Sequence, residues 1–222
     1  MMADDHADLP DRIAAAGSLN RLSHALVRHR ADPAVLRQIA RAAERLAASI
    51  EGQPVRERRM ELVSLPEFDE AVEHGSLSDL LEDGAFVDTF EDSPVSGSAN
   101  PLSMGLQVGR DGDAAIGRAT LAPGWQGAPD RAHGGVVAAI IDEVYGAVLP
   151  SIGVMAFTGE LTVRYEAPCP LGVQLDFRAE KVGVEGRKLY LACEGRSEQG
   201  VFATSRATFI SIELDQFRAS QA

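Results

Sequence analysis

The sequence predicts an α+β fold in which antiparallel strands surround one buried helix. Three observations support this prediction. The segment 136–149 is apolar nearly all round, strand-and-turn patterns lie on both sides of it, and amphipathic helical patterns precede the strands. A helix that is hydrophobic on every face must be enclosed by other elements. Composition agrees with a packed core, because 45% of the residues are hydrophobic and 24% are charged.

Two helices are predicted between residues 18 and 50. Apolar residues at helical spacing mark them: Leu19, Leu22, Leu26 and Val27 in the first, and Val35, Leu36, Ile39, Ala43, Leu46 and Ile50 in the second. Asp32 and Pro33 separate the helices as the N-cap and first helical residue of the second one. The pattern therefore predicts an antiparallel helical pair.

The charged segment 51–61 is predicted to be a linker into shorter helical pieces at 66–73 and 77–81. We expect residues 1–82 to form an N-terminal helical extension, residues 83–215 the main domain and residues 216–222 a C-terminal tail.

From about residue 84 the pattern becomes one of strands and turns. A strand is predicted at 104–108, and Asp111-Gly112-Asp113 indicates a hairpin into a second strand at 115–121. The remaining strands are predicted at 156–166, 173–183, 186–196 and 201–212. Antiparallel strands around one central helix constitute a hotdog fold, which is the predicted architecture.

Charge and composition make several partners and compartments poor candidates. The formal net charge is -12, which disfavours nucleic-acid phosphates and anionic lipid surfaces as partners. The N-terminus lacks the features of a signal peptide, and the longest apolar run, 136–141, is too short to span a bilayer, so we expect no membrane insertion. Cys169 and Cys193 have no metal-like spacing and predict free thiols in the cytoplasm. No metal or cofactor is predicted.

The candidate site lies at the start of the apolar helix. His133-Gly134-Gly135 precedes it directly, and amide N–H groups at a glycine-rich helix start suit an oxyanion or a thioester carbonyl. Glycines that only permit tight packing are the structural alternative. Asp142 lies on the same helix, where a buried carboxylate is costly unless it is paired or functional. Its alternatives are a structural carboxylate, or one that reaches solvent together with Glu143.

Nine residues separate His133 from Asp142, which corresponds to about 13 Å along a helix. A single subunit could not apply both groups to one thioester. If both are catalytic, the helix start of one subunit must face Asp142 of a partner across a two-fold axis. The spacing therefore predicts a homodimer with two composite sites, and a dimer of dimers is a compatible tetramer.

The residues His133-Gly134-Gly135, followed by Asp142 and Gly146, resemble the signature of PaaI-like hotdog acyl-CoA thioesterases. The likeness runs from about residue 94 to residue 212, and it includes a Pro-x-Pro-Leu bend at 168–171 and a hairpin at 184–188. It is closest to the branch that uses a Thr sixteen residues after the Asp, which is Thr158 here.

This resemblance implies that the protein hydrolyses an acyl-CoA thioester to a free acid and coenzyme A, in lipid metabolism. The Gly134 N–H would polarise the thioester carbonyl, and His133 would orient the helix start. Asp142 would act either as general base or as nucleophile, and Thr158 would position the water or the carboxylate. A β-branched strand residue without further role is the alternative for Thr158.

The same resemblance implies a set of substrate contacts. Gly135 would assist Gly134 at the carbonyl, and Trp125 would wall the acyl tunnel or anchor its own loop. Arg187 and Lys188, with Arg164 as a further candidate, would meet coenzyme A phosphates, or they are solvated charges at strand edges.

Some relatives place an Asn upstream of the His, where this chain has Gly127, so the role of that Asn is vacant or is filled by Gln126. Motifs of serine hydrolases, NTPases, zinc proteases and Rossmann enzymes are absent from the sequence. Two other functions stay open: a non-catalytic acyl-CoA-binding hotdog protein, and an enoyl-CoA hydratase or dehydratase.

Overall fold

The computed structural model describes residues 8–55, 83–84, 86–87 and 91–212. Its helices are α1 (Leu9–Arg28), α2 (Pro33–Glu51) and α3 (Gly134–Ser151). Its strands are β1 (Phe86–Val87), β2 (Gln107–Asp111), β3 (Ala114–Thr120), β4 (Ala156–Tyr165), β5 (Gln174–Glu185), β6 (Lys188–Ser197) and β7 (Gly200–Ser211). The strands form one antiparallel sheet in the order β1-β2-β3-β5-β6-β7-β4.

The sheet encloses α3, and this confirms the predicted hotdog architecture. Ile140, Ile141 and Val144 on the helix have no exposed surface, and neither do Leu175 and Leu191 on the facing strands. By length and composition α3 would also fit a membrane span, but its apolar surface is the core of the domain. Enclosure by the sheet is the physical reason why the helix can be hydrophobic on nearly every face.

One polar pair lies inside this core. The Tyr145 hydroxyl on α3 and the Ser205 hydroxyl on β7 are 2.7 Å apart, and both residues are buried. Burial raises the pKa of Tyr145 well above its usual value, so the ring stays neutral and hydrogen-bonded. The pair satisfies two hydroxyl groups that would otherwise be costly to bury.

The predicted strands agree with the observed ones to within a few residues, apart from the first. The strand predicted at 104–108 begins only at Gln107. Gly105 has a φ of +73°, a left-handed conformation that a strand does not contain, so the extended pairing starts after it. The predicted hairpin is confirmed, with Gly112 at φ +60° in the turn between β2 and β3.

Helix α1 begins at Leu9, nine residues earlier than predicted, because Pro10 in its first turn favours helix initiation. Polar contacts attach it to the loops before β2. Arg12 forms an ion pair with Glu91 at 2.7 Å and another with Asp92. The Asn20 amide donates to the carbonyls of Pro101 and Ser103 at 3.0 and 2.9 Å. Thus α1 is a docked part of the hotdog unit's surface.

Helix α2 starts as predicted, with the Asp32 carboxylate accepting from the Ala34 N–H at 2.7 Å. It buries none of its residues, and Leu46 and Ile50 on its apolar stripe are 61% and 70% exposed. The predicted packing of α1 against α2 is therefore wrong for the described residues, because α1 directs its contacts to the domain loops instead.

The helical pieces predicted at 66–73 and 77–81 lie outside the described residues. The tail predicted at 216–222 and the domain boundary predicted after residue 82 also lie outside them and stay predictions.

We expect Tyr145→Phe or Ser205→Ala alone to lower the free energy of unfolding by about 1–3 kcal/mol, because each leaves the other hydroxyl buried with one partner fewer. The double variant should lose less free energy of unfolding than the two single variants lose together. Equilibrium denaturation of the four proteins measures this coupling, and strictly additive losses would contradict it.

Candidate active site

The start of α3 is organised by His133. Its Nδ1 accepts a hydrogen bond from the Gly135 N–H at 3.0 Å, so His133 is the N-cap of the helix. Gly134 is the first helical residue, and an N–H at this position has no acceptor within its own helix. Of the two predicted amide donors, Gly135 is thus engaged in the cap and Gly134 is the one left to meet a ligand.

Tyr165, at the end of β4, closes this helix start from the sheet side. Its hydroxyl donates to the Gly134 carbonyl at 2.8 Å. A Cβ atom at position 134 would lie 3.1 Å from that hydroxyl, tighter than ordinary packing, so glycine permits the contact. Sequence reasoning assigned no role to Tyr165, and an aromatic residue in a strand offers no signal that could have indicated one.

The loop before the helix is held by backbone contacts. The Trp125 carbonyl accepts from the His133 N–H at 2.9 Å, and the Gly127 N–H donates to the Arg131 carbonyl at 3.1 Å. A Cβ atom at Gly127 would lie 2.8 Å from the His133 Cα. Close backbone approach therefore explains the glycine at this position, while the neighbouring Gln126 is exposed.

Asp142 and Thr158 are brought together. The Thr158 hydroxyl on β4 donates to Oδ1 of Asp142 at 2.9 Å. Asp142 is half-buried and Thr158 is exposed, so the pair is open to a ligand from outside the chain. Their spacing of sixteen residues, noted in the sequence, corresponds to a direct contact between helix and strand.

The neighbouring carboxylate Glu143 has different partners. Its Oε1 accepts from the Ser93 hydroxyl at 2.7 Å and from the Ser96 hydroxyl, both in the loop before β2. Glu143 therefore secures that loop to the helix, whereas Asp142 meets the edge of the sheet. The alternative in which both carboxylates simply reach solvent together is not what the structure shows.

One chain keeps the two halves of the candidate site apart. Gly134 and Asp142 are eight residues apart on α3, or about 12 Å along its axis. They contact opposite ends of β4, at Tyr165 and Thr158 respectively. β4 is the last strand of the sheet, so one of its edges has no strand partner among the described residues.

The predicted coenzyme A contacts fall in two places. Arg164 is 79% exposed, pairs with Glu166 at 3.0 Å, and lies six residues along β4 from Thr158, or about 20 Å. Arg187 and Lys188 are exposed at the β5–β6 hairpin, where the Arg187 Nε donates to the Ser211 carbonyl at 3.0 Å.

Register places the hairpin near the carboxylate. Lys188 is paired with Ile210, which is paired in turn with Phe157, the neighbour of Thr158. The hairpin thus shares the Thr158 end of the sheet, and Arg164 does not. In the described part of the chain, no group of three or more His, Cys, Asp or Glu side chains is placed to hold a metal ion.

Helix α1 also reaches this region, through a residue that sequence reasoning missed. His24 contacts the short 3-10 turn Pro123–Trp125, and its ring lies edge-on to Trp125 with centroids 5.6 Å apart. A single histidine in an amphipathic helix carried no signal for such a contact. Trp125 is accordingly anchored between α1 and the helix start.

Part of the chain matches a known protein family, and its fold is similar to that of a solved structure. Residues 130–204, which contain the helix start, Asp142 and Thr158, match the family model of the thioesterase superfamily. A crystal structure of a thioesterase superfamily protein superposes on this chain with a TM-score of 0.72 and 27% identity, covering 90% of each chain. Residues 130–204 are therefore similar to a thioesterase superfamily domain, and the fold as a whole is similar to that of a solved protein of this superfamily.

Two curated relatives of this chain are named acyl-coenzyme A thioesterases. The acyl-coenzyme A thioesterase THEM5 of Mus musculus is 36% identical over 98 residues, which cover 42% of this chain and 39% of the relative. The acyl-coenzyme A thioesterase THEM4 of Xenopus laevis is 37% identical over 94 residues, covering 41% of each. The chain thus spans about two fifths of the length of the curated relatives that it matches.

We expect His133→Ala to lower the free energy of unfolding by about 1 kcal/mol, because it removes the N-cap acceptor of α3. His133→Asn supplies a capping oxygen and should lose less. Chemical denaturation measures both changes, and equal losses in the two variants would contradict the capping role.

Proposed function

We propose that this protein is a PaaI-like acyl-CoA thioesterase that hydrolyses an acyl-CoA thioester to a free acid and coenzyme A. The observation that carries this proposal is the Asp142–Thr158 hydrogen bond at an accessible position of a thioesterase superfamily domain. The curated names of the matching relatives support the same activity.

Asp142 acts in this proposal as the general base. Oδ1 is engaged by the Thr158 hydroxyl, which leaves Oδ2 to take a proton from water. The lone pairs of the Thr158 hydroxyl can orient that same water. The water oxygen attacks the thioester carbonyl carbon while one water proton passes to Asp142. When the carbon–sulfur bond breaks, the leaving thiolate takes this proton, so the carboxylate is restored.

The charge on the tetrahedral intermediate would be stabilised at the helix start. The Gly134 N–H is the donor left over by the His133 cap, and the positive end of the α3 dipole adds to it. Donors of this kind are effective because they are oriented before the reaction begins. Tyr165 and His133 hold the backbone of Gly134 and Gly135 in that orientation.

The separation of Gly134 from Asp142 means that the complete site needs two chains. Suppose that two copies pair antiparallel through the free edge of β4, about an axis near the middle of the strand. The Thr158 end of one strand then lies beside the Tyr165 end of the other. Asp142 of one subunit thereby approaches the Gly134 N–H of its partner, giving two composite sites per dimer.

Arg187 and Lys188 are the proposed contacts for coenzyme A phosphates, because they are exposed cations at the Thr158 end of the sheet. Arg164 is a weaker candidate for a site within one chain, since Glu166 already pairs with it. In a dimer of the kind proposed, however, Arg164 lies near the Thr158 end of the partner's strand. The proposed steps require no metal or cofactor.

Asp142→Asn should lower thiol release from short, long-chain and aromatic CoA esters by at least about 100-fold, because it removes the base. Glu143→Gln is the matched control, a neutralised carboxylate one residue away, and should retain most of the activity. A thiol-detecting assay measures both. Binding of acyl-CoA without release by the wild type would favour the non-catalytic alternative, and hydration of an enoyl-CoA without release would favour the hydratase.

The composite site predicts complementation between two inactive variants. Gly134→Pro inactivates the helix-start half of the site, because it deletes the N–H donor and its Cβ, 3.1 Å from the Tyr165 hydroxyl, displaces that hydroxyl as well. The first helical position accepts proline, and His133, with ψ 134°, already has the backbone conformation that precedes it. Mixed subunits of Gly134→Pro and Asp142→Asn should regain about a quarter of wild-type activity, since half of the dimers then carry one intact site. No recovery after co-expression, with mixed dimers demonstrated, would contradict the two-chain site.

A further inference from the structure

The His24 side chain joins helix α1 to the loop before α3. The Gly124 N–H donates to Nδ1 of His24 at 3.1 Å, across one hundred residues of sequence. The same imidazole lies edge-on to Trp125, with the two rings at 69°. The N-terminal extension therefore contacts the 3-10 turn that leads to the start of α3.

The contact depends on a glycine. A Cβ atom at Gly124 would lie 2.2 Å from Nδ1 of His24 and 2.9 Å from its Cε1, so any side chain at this position would force the imidazole out of its place. Because Gly124 has no side chain, its backbone can approach the His24 ring closely enough for the hydrogen bond to form. His24 and Gly124 are therefore held together by a hydrogen bond and by a close approach that only glycine permits.

From this pair a short path of contacts leads to the helix start. Trp125 follows Gly124 directly, and its carbonyl accepts from the His133 N–H at 2.9 Å. His133 in turn caps α3 through the Gly135 N–H. Gly124, Trp125 and His133 thus connect α1 to the Gly134 N–H.

We propose that His24 is a positioning residue, which fixes the Pro123–Trp125 turn so that His133 presents the Gly134 N–H to the thioester carbonyl. This inference rests on the proposed thioesterase function and assigns a catalytic consequence to the docking of α1. His24 acts through the loop and does not touch the substrate. The effect of losing it falls on the transition state, because the donor it positions is needed most when the oxyanion forms.

The contact requires an imidazole that is neutral at Nδ1, since a protonated nitrogen cannot accept the Gly124 N–H. Burial lowers the pKa of His24 below its ordinary value, which favours the neutral form. The cavity beside it, between α1 and the loops, is lined by uncharged residues, among them Asn20, Asn100, Ser103 and Thr120. The charged neighbours at helical spacing on α1 itself are Arg21 and Arg28.

The sign of the pH dependence follows from the lowered pKa. The contact is fully present above the ordinary histidine pKa of about 6.5 and weakens as the pH falls through the lower value of the folded protein. Acidification should therefore release the turn from α1 while the rest of the domain stays folded.

Trp125 offers a direct test, because it is the chain's one tryptophan. Its fluorescence should titrate below the ordinary histidine pKa of about 6.5 in the wild type, as His24 becomes protonated beside it. The titration should disappear in His24→Ala and His24→Asn and persist in His29→Ala, which alters an exposed histidine at the end of the same helix. A wild-type signal without pH dependence, or the same titration in His24→Ala, would overturn the contact.

Activity tests the catalytic consequence separately. His24→Ala should lower kcat for thiol release by about 10- to 100-fold with little change in KM, as expected of a misplaced donor. His24→Asn supplies an acceptor oxygen in place of Nδ1, so it should restore most of kcat and remove the loss of rate on acidification that involves His24. Equal defects in both variants would refute positioning, whereas absence of release by the wild type would refute the proposed function and leave the fluorescence test intact.

Discussion

Burial of the apolar helix α3 is the constraint on which the rest of the structure depends. Its large apolar side chains, such as Ile140, Ile141 and Val144, need apolar partners, and the antiparallel sheet supplies them. Asp142 and Glu143 are the helix's charged residues, and each is placed where polar partners meet it. Thr158 contacts Asp142 at the edge of the sheet. Glu143 is contacted by Ser93 and Ser96, which lie in the loop before β2. Enclosure of the helix thus decides where a carboxylate can remain accessible.

The same helix carries both groups of the proposed chemistry, but at different places along its length. Its N-terminus provides a free amide N–H and a favourable dipole, whereas its middle provides the base, and about 12 Å separates them. β4 contacts both places, through Tyr165 and Thr158, and it is the last strand of the sheet. β4 contacts both half-sites, and among the described residues one of its edges has no strand partner. These two facts are why we propose that two copies complete one another's sites.

The N-terminal helices play unequal parts. Helix α1 is docked onto the loops before β2 and α3 by polar contacts of Arg12, Asn20 and His24 and by the ring contact of His24 with Trp125. Helix α2 is capped and amphipathic but buries none of its residues in the described part of the chain. Because α1 contacts the turn that contains Trp125, the N-terminal extension is connected to the candidate site. That connection lies outside the region matched by the family model.

Local patterns in the sequence were sufficient to predict the longer strands and the buried helix, because periodicity depends on near neighbours in the chain. Helix-start chemistry and the cost of burying a carboxylate indicated His133, Gly134 and Asp142 as candidates, and the family resemblance indicated Thr158; their catalytic roles stay predictions. Only the tertiary structure decided which groups meet: the contacts of Asp142 with Thr158, of Gly134 with Tyr165 and of Gly124 with His24 span 16, 31 and 100 residues. It also separated Arg164 from the Thr158 end of the sheet and left α2 unpacked. Strand order and helix docking arise from long-range burial, which no local pattern encodes.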